Sequence, residues 1–255
     1  MARREIPEIN AGSMADIAFL LLIFWLVTTT IDSDEGIRRQ LPPPIPPDMV
    51  VPPVVARNVF VVLVNANNDL LVEGEELRID KLKDKAKEFL IANGDGLTYG
   101  DLPENENLPV RAKVNKAEIA ASVAQYEQLV KTADTDERKD NLTKVLNNYR
   151  EKLAAIELFG KEYKILPASA LISMRNDNNT SYDTYIQVQN ELEAAVAELR
   201  DELCKDKFGI SYKELEDNYE KNPTDQNLLN RIEAIRDVYP QRISEAEPED
   251  AGAAY

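Results

Sequence analysis

Residues Ala11 to Ile31 read AGSMADIAFLLLIFWLVTTTI, and the nature of this stretch governs how the rest of the chain is read. It carries one charge, Asp16, and from Ile17 to Val27 every side chain is apolar. A helix rising about 1.5 Å per residue needs roughly 20 residues to cross the hydrocarbon layer, so the stretch reads as a single transmembrane helix over 11–31. A secretory leader is the rival reading, because Arg3 and Arg4 precede the apolar run. Two details favour a retained anchor. An acid stands at the head of the would-be hydrophobic region, and Thr28 to Asp32 contain no small-x-small cleavage site.

Working outward, residues 1–10 form a short tail with Arg3 and Arg4, while Arg38 and Arg39 lie beyond the span. Charge alone leaves the orientation balanced. The brevity of the tail, against a large acidic remainder, favours a cytoplasmic amino terminus and an exported carboxy-terminal domain. Residues 32–57 then read as a linker. Leu41 to Pro53, LPPPIPPDMVVPP, holds seven prolines, which favour an extended path of about 3.1 Å per residue. A semi-rigid spacer fits better here than a peptide ligand, since the segment joins a span to a domain.

The composition excludes much. Of 255 residues, 46 are acidic and 30 basic, a net charge of −16, which argues against nucleic acid because phosphate recognition needs clustered cations. There is no histidine, so the commonest general base and metal ligand are missing. Cys204 is the only cysteine, which rules out an intrachain disulfide and fits a small buried apolar residue. The expectation is a non-enzymatic protein with no cofactor and no metal.

The globular part is expected over 58–246. Val59–Val64 (VFVVLV) and Leu70–Val72 read as strands around the turn-rich Asn65 to Asp69, and Asp80 as the cap of a helix from Lys81 to about Ala92. Residues 93 to about 109 read as loop. Ile119, Val123, Tyr126 and Val130, then Leu142, Val145, Leu146, Tyr149, Leu153 and Ile156, recur at helical spacing and predict an antiparallel helical hairpin with core-packed stripes. Ser169 to Met174 alternates as a half-buried strand should. Helices over Tyr182 to about Leu203 and Leu228–Tyr239, a last strand over Gln241–Ala246 and a tail over 247–255 complete the reading.

Ile9, Asn10 and Asp16, followed by LLLIFWLVT and by Leu41-Pro42, resemble the signature of the ExbD/TolR family, in which Asp stands six residues after an Ile-Asn pair. A second segment, RNDNNTSYDTYIQVQNEL from Arg175 to Leu192, is similar to the family's Ala-Asp-x-x-x-x-Tyr segment, with Asp177, Tyr182 and Asp183 in corresponding places. Ala11-Gly12-Ser13 replaces the usual Val-Thr-Pro. Stretches of about 93–164 and 205–237 read as insertions into a smaller fold.

The resemblance implies an inner-membrane, single-pass protein: one amino-terminal transmembrane helix, then an α+β periplasmic domain of mixed sheet and packed helices carrying the hairpin insertion. It also implies that Asp16 carries protons, with Ser13 and Thr28 as candidate helpers on the path. The residues by themselves leave Asp16 open between a proton site and an interfacial helix cap. The implied partners are an ExbB/TolQ-like multi-span membrane protein, a TonB-like protein, a second copy of the chain as a homodimer, and the lipid bilayer. A TolR-like envelope-integrity role, a passive membrane-anchored scaffold and a secreted protein are the alternatives.

Overall fold

The structure, a computed structural model, describes residues 11–29, 55–177 and 179–246. The chain divides into two units, Met1–Val51 and Pro52–Tyr255, taken one at a time below. The expected tails at 1–10 and 247–255 and the proline-rich stretch lie outside the described residues.

In the first unit, α1 (Ala11–Thr29) is a single helix. Its side chains are described over 14–25, and all of these are exposed, Trp25 at 71% and Phe24 at 63%. Among the described residues no helix is long and apolar enough to cross a membrane. At about 1.5 Å per residue, the 14–25 portion alone is shorter than the roughly 30 Å hydrocarbon layer.

The second unit is built on a five-stranded mixed sheet. Its strands are β1 (Val59–Val64), β2 (Leu70–Val72), β3 (Glu75–Leu77), β6 (Leu171–Asn176) and β7 (Ile243–Ala246), in the order β3-β2-β1-β6-β7. β1 runs parallel to β6 and β6 to β7, while β2 pairs antiparallel with both β1 and β3. Register places Phe60 beside Ile172 and Ile172 beside Ile243. Strand alternation sends Phe60, Val62 and Val64 into the core, together with Leu70, Val72, Ile172 and Met174. The core also takes Leu82, Ala86, Phe89 and Leu90 of α2 (Ile79–Ile91) and Val188, Leu192, Val196, Leu199 and Leu203 of α5 (Tyr182–Phe208). The Phe60 and Phe89 rings lie 5.3 Å apart.

α5 starts where its sequence dictates. The Ser181 side chain accepts from Thr184 N at 3.2 Å, and the helix ends at Gly209, whose φ of 72° suits a residue without a Cβ. α2 departs from expectation. It begins at Ile79 behind Arg78, which makes no side-chain cap, and Asp80 sits inside the first turn with Arg78 Nε at 3.1 Å. An acid in that turn is favoured by the helix dipole without being the cap.

The hairpin is formed by α3 (Lys116–Lys131) and α4 (Asp136–Phe159), with the Tyr126 and Tyr149 rings 5.3 Å apart and tilted by 31°. Its stem is a two-stranded ribbon, β4 (Ala112–Val114) against β5 (Tyr163–Ile165). α3 buries no residue, which corrects the expectation of a core-packed stripe: its apolar positions are half-buried. The base is different. Val114, Ala155, Ile156, Phe159 and Tyr163 are buried in the common core, so the stretch 93–164 is rooted in the domain. The same holds for 205–237, where α6 (Tyr212–Lys221) and α7 (Gln226–Val238) bury Tyr212, Leu215, Ile232 and Ile235.

Candidate functional site

Asp16 lies in the second turn of α1 and is exposed, as are Ile17, Phe19 and Leu20 around it. It is the one ionisable residue between Ala11 and Thr29. Ser13 is three residues earlier on the same helical face, about 4.5 Å down the axis. Thr28 stands twelve residues on, about 18 Å along the axis and a third of a turn round, too far to share a contact with Asp16. The side chains of Ser13 and Thr28 lie outside those described.

In the second unit, the family-like segment from Arg175 to Leu192 forms the β6–α5 connection. Asp177 N donates to Val64 O at 2.9 Å, Thr180 Oγ1 reaches the carbonyls of Val64 and Asn65, and Ser181 N donates to Asn68 Oδ1 at 2.8 Å. Asn65 in turn accepts from Asn67 N and Asp69 N. Two turns at the same end of β1 and β6 are thereby knitted into one surface. Tyr182 stands out from it 77% exposed, stacked on Tyr185 at 6.1 Å.

Two polar constellations were not legible in the sequence. In the first, Asp95 is fully buried, its Oδ1 accepting from Leu97 N and Tyr99 N and its Oδ2 from the Tyr239 hydroxyl at 2.7 Å. Arg111 lies against the Tyr239 ring, 5.2 Å from its centroid. Its guanidinium donates to Lys164 O at 2.6 Å, Leu90 O at 2.6 Å and Val238 O at 3.4 Å. Burial, and then the neighbouring Asp95, push the Tyr239 hydroxyl well above the ordinary phenol range, while burial pulls Arg111 down. In the second, Lys83 and Lys87 of α2 meet Glu198 and Glu202 of α5 at 2.6 to 3.3 Å, and Tyr99 also donates to Glu202. The Lys83 and Lys87 contacts hold the Glu198 carboxyl below its usual range. Burial pushes Glu202 up, but the bonds from Lys87 and Tyr99 outweigh it and lower it too.

In the first constellation Arg111 Nε is buried without a hydrogen-bond partner, although the other guanidinium nitrogens are engaged. Among the described residues no group of three or more His, Cys, Asp or Glu could hold a metal ion. Cys204 is buried, and burial raises its thiol to about 11, which leaves it protonated and unreactive.

Residues 2–135 match the family model described as Biopolymer transport protein ExbD/TolR. The chain belongs to the ExbD/TolR family. No curated protein and no solved structure matches it. Members of the ExbD/TolR family are non-enzymatic, generally inner-membrane proteins that serve energy-coupled biopolymer transport, in complexes with ExbB/TolQ and TonB/TolA-type partners. The match takes in α1 with Asp16, the first three strands, α2, the stem strand β4 and α3. It ends before α4, so the carboxy-terminal half, with the second family-like segment, lies beyond it.

Proposed function

We propose that this ExbD/TolR protein is the proton-carrying, stator-type subunit of an inner-membrane energy-transducing complex, with Asp16 as the carrier. The observation behind this reading is the isolation of Asp16, the lone ionisable residue of α1, in a chain of this family. In this reading α1 crosses the membrane once, with the amino terminus cytoplasmic and the second unit periplasmic. Helix-centre insertion scales charge about 2.5–3.5 kcal/mol for a bare carboxylate, so ionised Asp16 needs water or a polar partner. Protonated, it tolerates apolar surroundings. A proton crossing the membrane potential releases about 2.3 kcal/mol per 100 mV, enough to drive alternation between the two forms and movement of the helix.

One helix cannot enclose a proton path, so the reading requires an ExbB/TolQ-like multi-span partner around a pair of these chains. A TonB-like protein would receive the work. Ser13, one turn from Asp16, is the better placed of the two candidate helpers; the distance of Thr28 removes it from direct exchange.

The test is Asp16→Asn, which keeps the size but cannot titrate. Gradient-dependent uptake through an outer-membrane transporter is expected to vanish, while membrane insertion and co-purification with the multi-span partner persist. Wild-type uptake in this variant would leave Asp16 as a helix cap and the chain as a passive anchor.

A further inference from the structure

The five-stranded sheet has two faces, and the helices cover one of them. β1 to β6 and β6 to β7 are parallel steps in the same direction across the sheet. Right-handed crossovers taken in one direction put their helices on one face. That face carries Phe60, Val62, Val64, Ile172 and Met174 into the core with α2 and α5. Alternation sends Val59, Val61, Leu63, Leu71 and Leu171 to the other face, where each is only half-buried. All five stand outside the core cluster. They form a continuous patch, because register sets Leu71 beside Leu63 and Val59 beside Leu171.

Charge on this open face follows one row of the sheet. Pairing places Glu76, Leu71, Leu63, Arg175 and Ala246 side by side across β3, β2, β1, β6 and β7. Arg175 is the one cation within these five strands, and Glu76 is exposed. With strands about 4.8 Å apart, acid and cation stand on opposite sides of Leu63, roughly 10 and 5 Å from it. A half-turn about an axis along β1 therefore carries Arg175 over the Leu71 and Glu76 side of a facing sheet. Stacked sheets lie about 10 Å apart, a gap that an arginine and a glutamate reaching from opposite sides can close. The row is thus self-complementary, as a two-fold contact requires: Leu63 meets its own twin, and each end sets acid against base. A half-turn across the strands instead returns Arg175 to the β6 side and leaves both charges without a partner.

We propose that this open face is the seam between two copies of the chain, packed sheet to sheet about a two-fold axis along β1, with Arg175 of each copy paired to Glu76 of the other. β1 and β6 have six residues each. At about 3.3 Å per residue and four inter-strand steps, the face measures about 20 Å by 20 Å. That is about half of the 800 Å² or so that a standard interface buries per partner, so free chains pair weakly. Two copies held in one membrane complex meet at an effective concentration of about millimolar, which favours the contact without enlarging it. The seam rests on the pair of chains proposed above and is independent of the role of Asp16.

The experiment is cross-linking of the full chain in native membranes with a short bis-maleimide, for which the buried Cys204 does not compete. Leu63→Cys is expected to give a covalent dimer at severalfold the yield of Val145→Cys, an exposed position on α4. In the Leu63→Cys background, Arg175→Glu or Glu76→Arg should lower that yield severalfold, and the two together should restore it. Glu76→Arg, at an exposed edge position, decides the matter if Arg175→Glu does not fold. Single cysteines over 17–25 of α1 report separately whether the chains pair at all. A dimer through α1 with none through Leu63→Cys overturns the seam and leaves the pair; loss of both overturns the two together. A Leu63→Cys chain that neither links nor accepts a monomaleimide has another occupant on the face, which also overturns the seam. So does a yield that the single charge reversals leave unchanged, or that the double reversal fails to restore.

Discussion

The Tyr239 hydroxyl donates to Asp95 Oδ2 at 2.7 Å and so ties the loop after α2 to the residue that ends α7, across 144 positions of sequence. Asp95 and Tyr239 are both fully buried, which makes this bond part of the core. A carboxylate in such a place must have all its partners, because an orphaned buried acceptor costs about 1–3 kcal/mol. Tyr239→Phe removes one donor and leaves the ring volume unchanged. It is expected to cost about 2 kcal/mol, read as a lower urea midpoint with an unchanged m-value.

Arg111 gives a second test of the same knot. Its fork spans three backbone carbonyls on three separate segments, and an ammonium on a flexible stem cannot reproduce that fan. Arg111→Lys is expected to destabilise the domain by about 2–3 kcal/mol despite keeping the charge, because bonds to charged groups contribute about 1.5–3 kcal/mol each. Thermal unfolding at neutral pH measures it. A loss below half a kilocalorie would show that one carbonyl contact carries the interaction.

The contrast between what the sequence disclosed and what it hid follows from periodicity. β1 and β2 appear over the expected residues, because VFVVLV and LLV are dense apolar runs bounded by turn residues. β3, β4 and β5 have three residues each, too few for a period-two pattern to register, and EEL in β3 is dominated by charge. α6 escaped notice because its sequence, YKELEDNYEK, buries only Tyr212 and Leu215. Asp16, the proposed carrier, stands out in the sequence as one charge in an apolar run. Asp95, Arg111 and Tyr239 do not, since their meeting depends on contacts 16 to 144 residues apart that no local pattern encodes.

Gly94 makes a sharper prediction than the other glycines. Its φ is +82°, and a Cβ there would come 2.1 Å from Gly100 O and 2.8 Å from Leu102 N, both backbone atoms. Strain and clash add at a point that cannot give way. Gly94→Ala is expected to cost more than about 3 kcal/mol, whereas Gly74→Ala, where the Cβ meets nothing, should cost about 1 kcal/mol from its positive φ alone. Paired urea titrations compare the two.

The lysine–glutamate ladder between α2 and α5 is expected to weaken in acid. Glu198 and Glu202 are held below their usual range by their partners. Their stabilisation is present above the ordinary glutamate value and disappears as pH falls through the lowered one. Lys87→Met is expected to cost about 1 kcal/mol at pH 7, since half-exposed carboxylates are screened by solvent. That cost should shrink towards zero near pH 3. Urea unfolding of wild type and variant at the two pH values gives the difference, and an equal loss at both would mean that the Lys87 stem, not its charge, stabilises the pair.

The outer hairpin and its base are expected to separate in a pair of deletions. Lys116 Nζ lies 3.6 Å from Glu157, and Tyr126 faces Tyr149, so α3 and α4 run side by side from the stem outward. Residues 119 and 153 are near neighbours in that arrangement. Replacing 120–152 by a short Gly/Asn turn would remove one buried residue, Leu146, and keep Ala155, Ile156 and Phe159 in place. Such a chain is expected to unfold cooperatively, with a stability loss of about 2–4 kcal/mol of the kind a single buried leucine accounts for. Removing 95–163 instead takes away Asp95, Arg111, Val114, Phe159 and Tyr163, which belong to the core and its polar knot. Buried groups left behind, among them the Tyr239 hydroxyl and the carbonyls of Leu90 and Val238, then lose their bonds along with the packing. That chain is expected to lose its near-ultraviolet circular dichroism and to aggregate. If both deletions fold equally well, the base of α4 and the stem ribbon contribute nothing to the domain beyond carrying the hairpin.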